Sequence, residues 1–227
     1  MRAELLARLL QPPVTVRWRD IGHVDARCGE LLPTLPTLTR LKQSYLQETA
    51  HADFLPELPL LRVLTLDCNF GQAWCIPADA LLASLVRCIG VTELNINCGF
   101  NSAHFSALFA KLPLKKLTIR GGELETLACF SADPITESLE ELFISDLNLP
   151  PSELSHLYVL RRLRSLSLDR CFSSLLPDAI LDSLSPPTPI LPSLTLLFHQ
   201  WQMPGKKRQS AHRHGPSFEW MQLRRTQ

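Results

Sequence analysis

Apolar residues recur along this chain in two alternating rhythms. Short stretches alternate apolar and polar, the period of a strand with one buried face, as in LLRVLTLDCNF over 60–70, where Leu64 and Leu66 flank Thr65. Between such stretches run segments with helical spacing. In PADALLASLVRCI, Leu81, Leu85 and Ile89 recur at fourfold spacing and Pro77 suits a first helical position. In NSAHFSALFAKL, Ser102 is placed to cap, and Phe105, Phe109 and Leu112 form the apolar stripe. PPSELSHLYVL offers Leu154, Leu157 and Tyr158, and LPDAILDSL offers Ile180, Leu181 and Leu184.

The strand-like stretch returns as VTELNINCGF from Val91, LKKLTIRGG from Leu114, LEELFISDL from Leu139 and LRSLSLDRC from Leu163. Degenerate copies begin at Leu38 and Leu194, and the weakest at Pro13, with Val16 and Trp18 at the inner apolar positions. Successive anchors are 25, 23, 30, 23, 25, 24 and 31 residues apart, too regular for coincidence. One unit is a short strand, a turn and a helix. Neither element can bury its apolar face alone, so units must stack into a solenoid.

Leu61, Leu64, Leu66 and Asn69 spell L-x-x-L-x-L-x-x-N, and Leu163, Leu166, Leu168 and Cys171 spell the same pattern ending in cysteine. On these residues the chain resembles the leucine-rich repeat family over roughly 13–200, and is similar in unit length to its cysteine-containing and ribonuclease-inhibitor-like types. The ninth position departs from the family's Asn or Cys in other copies, reading Gly99, Gly122 and Leu147. The resemblance implies an α/β solenoid, with a curved parallel sheet on the concave side and helices on the convex side. It also implies a recognition array like those of F-box proteins. No F-box itself is recognisable, and AELLARLL reads as a short helix capping the first repeat. The expected organisation is a helical cap over 1–12, seven or eight units over 13–201, and a basic, disordered tail over 202–227.

Composition narrows the class. The chain has 227 residues, 45% of them hydrophobic, enough for a sizeable core, and no apolar run approaches the length of a membrane helix. The formal charge of +1 hides an asymmetry. Six basic residues against Glu219 lie from 199 onward, so the body is mildly acidic and nucleic acid is not its expected partner. The tail's GKKRQSAHRH leaves a nucleic-acid or nuclear-import contact as an alternative. Seven scattered cysteines, an odd number, fit free thiols in a reducing compartment, so the expected location is cytoplasm or nucleus. No phosphate-binding loop or zinc spacing occurs, and Gly121-Gly122 reads as a tight bend. His104 and His156 read as exposed helix positions. No cofactor, metal or catalytic residue is expected, and regulation of a small GTPase through a repeat surface is the other alternative.

A partner of such a solenoid meets the side chains between the buried leucines. The first copies place Arg17 and Arg19, then Arg40 and Lys42, on that face. The middle copies contribute Asp67, Glu93, Asn95 and Asn97, then Lys116 and Arg120. Glu141, Phe143 and Asp169 follow, and the last copy contributes Leu196 and Phe198. The expected entity is a monomer binding an extended protein ligand along this charge sequence.

Overall fold

The computed structural model describes residues 38–44, 50–67, 77–147, 149–171, 195–199 and 221–224. The expected cap over 1–12, the copy from Pro13 with Arg17 and Arg19, Asn69, and the helix expected in LPDAILDSL lie outside them. In chain order the elements are β1 (Arg40–Ser44), α1 (Ala50–Asp53), a 3-10 turn (Leu55–Glu57), β2 (Val63–Asp67) and α2 (Ala78–Leu85). Then come β3 (Glu93–Asn97), α3 (Ser102–Phe109), β4 (Lys116–Arg120), a 3-10 helix (Leu127–Ser131) and α4 (Ile135–Ser138). β5 (Glu141–Ser145), a longer 3-10 helix (Pro151–Val159), β6 (Ser165–Asp169), β7 (Thr195–His199) and β8 (Met221–Arg224) complete the order.

The strands form one sheet in sequence order. β1 to β7 pair in parallel, and Leu41, Leu64, Leu94, Leu117, Leu142 and Leu166 stand side by side in one row. The inner pair of each strand from β2 to β6 is buried, as Leu64 and Leu66 are in β2 and Leu117 and Ile119 in β4. This is the stacked solenoid that the anchor spacing predicts, with the α/β leucine-rich-repeat architecture that the resemblance implies. Carbonyls at one repeat position organise the turns into the strands. Thr39, Arg62, Thr92, Lys115 and Glu140 each accept two backbone N–H bonds from the next repeat, as Arg62 does from Thr92 and Glu93. We call this side of the sheet its leading edge and the opposite side its trailing edge.

At the trailing edge three consecutive repeats turn through the left-handed region, at Gly121 (φ 61°), Asp146 (φ 60°) and Arg170 (φ 51°). Gly121 and Asp146 donate their amides to Ser145 and Asp169 of the following repeat. Arginine is unsuited to this conformation. Arg170 is tied there to Asp146 at 2.9 Å and to Asp169 at 3.5 Å. At the ninth position Cys171 donates its thiol to the Ile144 carbonyl of the preceding repeat at 3.2 Å. Leu147 instead fills the same place as a buried apolar residue.

Behind the sheet the core runs from repeat to repeat as an aromatic row. Phe100, Phe105, Phe109 and Phe130 follow one another with ring centroids 5.6, 5.5 and 4.8 Å apart. The helical segments also tie to one another through polar contacts. Ser102 Oγ accepts the amides of Glu125 and Thr126 in the next repeat. Glu153 accepts Thr126 Oγ1 at 2.5 Å and the Leu127 amide at 2.8 Å in the preceding repeat. The Thr126 bond, with Leu127 and the nearby His156, holds the Glu153 carboxyl below the ordinary glutamate range.

Several expectations change. Ser102 is the first residue of α3 and Asn101 is its cap, in a capping box closed by His104. Ile89 lies beyond α2 and is 73% exposed, while Cys88 takes the buried place. Tyr158 is only half-buried, and Leu160 completes the stripe begun by Leu154 and Leu157. Of the tail expected to be disordered over 202–227, only Met221–Arg224 lies among the described residues, as β8, which pairs antiparallel with β7. Met221 pairs with Phe198 and Leu223 with Leu196, along an edge whose amides and carbonyls would otherwise be unpaired.

Candidate interaction face

The period of two puts every other residue of β1 to β6 on the sheet face opposite the helices. The register sorts these residues into three rows. Arg40, Val63, Glu93, Lys116, Glu141 and Ser165 form the row nearest the leading edge. Lys42, Thr65, Asn95, Thr118, Phe143 and Ser167 form the middle row. Asp67 and Asn97 begin the third, which Arg120, Ser145 and Asp169 continue. The expected face residues from Arg40 to Asp169 therefore share one surface.

Leu196 and Phe198 do not join it. They register with Leu166 and Leu168, the inward positions of β6, while Thr195, Leu197 and His199 continue the three outward rows. The error was one residue. In LPSLTLLF several leucines satisfy the motif, and spacing alone chose Leu194 as anchor.

Charges on the face fall into bands. β1 carries Arg40 and Lys42, β2 and β3 carry Asp67 and Glu93, β4 carries Lys116 and Arg120, and β5 and β6 carry Glu141 and Asp169. Neighbouring bands are linked. Arg40 reaches Glu93 at 3.9 Å and Lys116 reaches Glu141 at 2.9 Å, while within the acidic band Asn97 donates to Asp67 at 2.8 Å. The hydrogen bond to Glu141, reinforced by the charges of Glu141, Glu93 and Glu140, raises the Lys116 ammonium above the ordinary lysine value. Arg120 lies over the Phe143 ring, 5.5 Å from its centroid. Thr118 and Ser167 flank Phe143 in its row, so the ring is the largest apolar surface there.

Other reactive groups are engaged in packing. Burial pushes the Cys88 thiol up to about 11 and those of Cys129 and Cys171 up to about 12, so they are protonated at neutral pH. His104 is mostly buried, contrary to its reading as an exposed position. Its Nδ1 accepts the Asn101 amide at 3.1 Å, which leaves Nε2 to donate to Asp79 at 3.1 Å. Among the described residues no group of three or more His, Cys, Asp or Glu could hold a metal ion. No described helix is long and apolar enough to cross a membrane.

Sequence reading by strand rows missed the leading edge. Arg62, Lys115 and Arg164 recur one residue after their anchors, a periodicity visible in the sequence but outside the strand positions considered.

No protein-family model matches this sequence, and no curated protein matches it. Among solved structures, the crystal structure of an internalin C2 from Listeria monocytogenes is similar. The identity is 17% over 78% of this chain and 76% of that chain, with a TM-score of 0.45.

Proposed function

We propose that this chain is a non-enzymatic protein-interaction module that binds an extended segment of a protein partner on the outward sheet face. The observation that carries this reading is the banding of that face around Phe143. Adjacent strands lie about 4.8 Å apart. The acidic band of β2 and β3 is thus about 14 Å from that of β5 and β6, beyond the roughly 8 Å screening length at physiological salt. A charge on the ligand that meets one acidic band is screened from the other, with the basic band of β4 between them, so the ligand's charge order sets its register across the strands. Phe143, stacked under Arg120, supplies an apolar anchor near the middle of the face.

The specific role we favour is recognition of a partner by an array of the F-box type, in the cytoplasm or nucleus. It rests on the resemblance of the repeats and on buried thiols at Cys88, Cys129 and Cys171, which suit a reducing compartment. The test is affinity purification with the intact chain, followed by Phe143→Ala and Arg120→Glu. Loss of the same captured protein in both variants, with unchanged thermal melting, supports the reading. Capture that survives both substitutions overturns it.

A further inference from the structure

The leading edge forms a second surface. Around β2, β3 and β4 it carries Arg62, Arg87, Lys111 and Lys115, all exposed, and the turns over 58–62, 86–92 and 110–115 hold no acidic residue. The Thr92 amide donates to the Arg62 carbonyl and the Lys115 amide to the Thr92 carbonyl, so these turns stack side by side. Amid the cations stand the exposed aliphatics Leu60 and Ile89, 44% and 73% accessible. Beside them lies a shallow dent of about 70 Å³, lined by Pro56, Pro59, Leu61, Arg87, Ile89 and Gly90.

One cation of this rim is held in place. Arg62 Nη1 donates to the Leu61 carbonyl at 3.1 Å and to the Gly90 carbonyl at 3.2 Å. That use of Nη1 leaves Nε and Nη2, a fork suited to a carboxylate. Immobilisation before binding lowers the entropy cost of capturing one. Gly90 permits the clamp, because a Cβ there would overlap Arg62 Nη1.

We propose that the leading edge around the Arg62–Gly90 clamp binds an acidic polypeptide segment. The segment seats one aliphatic side chain in the dent and places carboxylates on Arg62 and Arg87. The cationic rim selects the charge, and a dent of this size admits a single small side chain. Nucleic acid is disfavoured, since the exposed large apolar residues among those described are aliphatic and offer no stacking surface. This surface is separate from the Phe143 face, and its test is separate as well.

The probe is a fluorescein-labelled nonapeptide carrying one leucine between two runs of aspartate, titrated against the full chain by anisotropy. Saturable binding is expected, weakened at least about tenfold by Arg87→Glu, by Gly90→Ala, and by glycine in place of the peptide's leucine. Gly90→Ala changes no charge and requires no left-handed backbone, so it tests the Arg62 clamp and the dent that Gly90 lines apart from the charge of the rim. Thermal melting establishes that each variant is folded. Phe143→Ala should leave this binding unchanged; if it abolishes binding, the peptide sits on the sheet face, and the edge inference falls while the proposed function stands. The inference also falls if binding is absent or indifferent to the edge variants. Tighter binding of oligouridine or phosphatidylserine vesicles, or self-association by sedimentation, would likewise overturn it.

Discussion

Two connections carry this chain between neighbouring strands with different helices, and the spacing of their buried residues accounts for the difference. In α3 and the turn after it, Phe105, Leu108, Phe109 and Leu112 are buried, the three-and-four spacing of an α-helical face. In the 3-10 helix before β6 and the turn after it, the buried residues are Leu154, Leu157, Leu160 and Leu163, every third position. That is the period of a 3-10 helix, whose side chains eclipse three residues apart. Nine residues in this form rise about 2.0 Å each, against about 1.5 Å in an α-helix, so the connection spans more of the repeat with little extra chain. Such a run exceeds the usual length of a 3-10 helix. Pro151 in its first turn favours the start, and Glu153 fastens it to the repeat before.

Filling differs as well. The α3 connection packs rings, with Phe109 between Phe105 and Phe130, whereas the 3-10 connection packs leucines alone. Phe109→Ala should therefore have the largest effect, about 3–5 kcal/mol, and Leu157→Ala a smaller one of about 2–3 kcal/mol. Denaturant midpoints at constant slope measure both. A Leu157 variant as unstable as the Phe109 variant would mean that the aromatic row is not where this solenoid is most tightly packed.

Next in size is Glu153→Gln, expected to cost about 1–2 kcal/mol at neutral pH through weaker bonds to Thr126 and Leu127. The native carboxyl titrates below its unfolded value, so its contribution is fully present above the unfolded glutamate range. It is lost as pH falls through the lower, native value. Wild type and variant should thus converge in stability on acidification. A constant gap from neutral to acidic pH would show that shape, and not charge, makes the contact.

On the α3 side the corresponding device is local. Asn101 accepts the His104 amide at 3.0 Å while His104 accepts the Asn101 amide. Asn101→Ala should cost about 1 kcal/mol, less than Glu153→Gln, because it unties one helix end without separating two repeats. Thermal melting of the two variants side by side decides the order.

The solenoid was legible because Leu64, Leu94, Leu117, Leu142 and Leu166 repeat in a register that only parallel stacking can bury. The outward residues from Arg40 to Asp169 followed from the same alternation. Where apolar residues were dense, spacing stopped discriminating. Leucines at 194, 196 and 197 left the register open, and strand pairing aligns Leu196 with Leu166, one residue from the register set by Leu194 as anchor. Tyr158 fits a fourfold stripe, yet the chain follows a threefold one, and propensity carries little information about that choice. Capping by Glu153 joins residues 26 apart in sequence, so no local pattern announces it.

The smallest effect concerns the end of a helix. Leu81 and Leu85 are buried in α2, and continuing the fourfold spacing would bury Ile89 also. Instead α2 ends at Leu85, with the Val86 amide bonded to Leu82, and a turn carries the chain to β3. There the Cys88 amide donates to Leu85 and the Val91 amide to Cys88, which turns Cys88 inward and Ile89 outward. Leu85→Ala should cost about 2–3 kcal/mol, as Leu157→Ala does, since both leucines are fully buried. Ile89→Ala should stay within about 0.5 kcal/mol, since an exposed side chain away from caps and cores contributes little. Both are read from denaturant unfolding. If the Ile89 variant lost 2 kcal/mol or more, α2 would have to continue past Leu85, and the contrast between three-and-four and threefold connections would lose its cleanest boundary. Stability unchanged at Ile89, together with weaker binding of the acidic peptide, would mark the side chain as one that serves recognition and not packing.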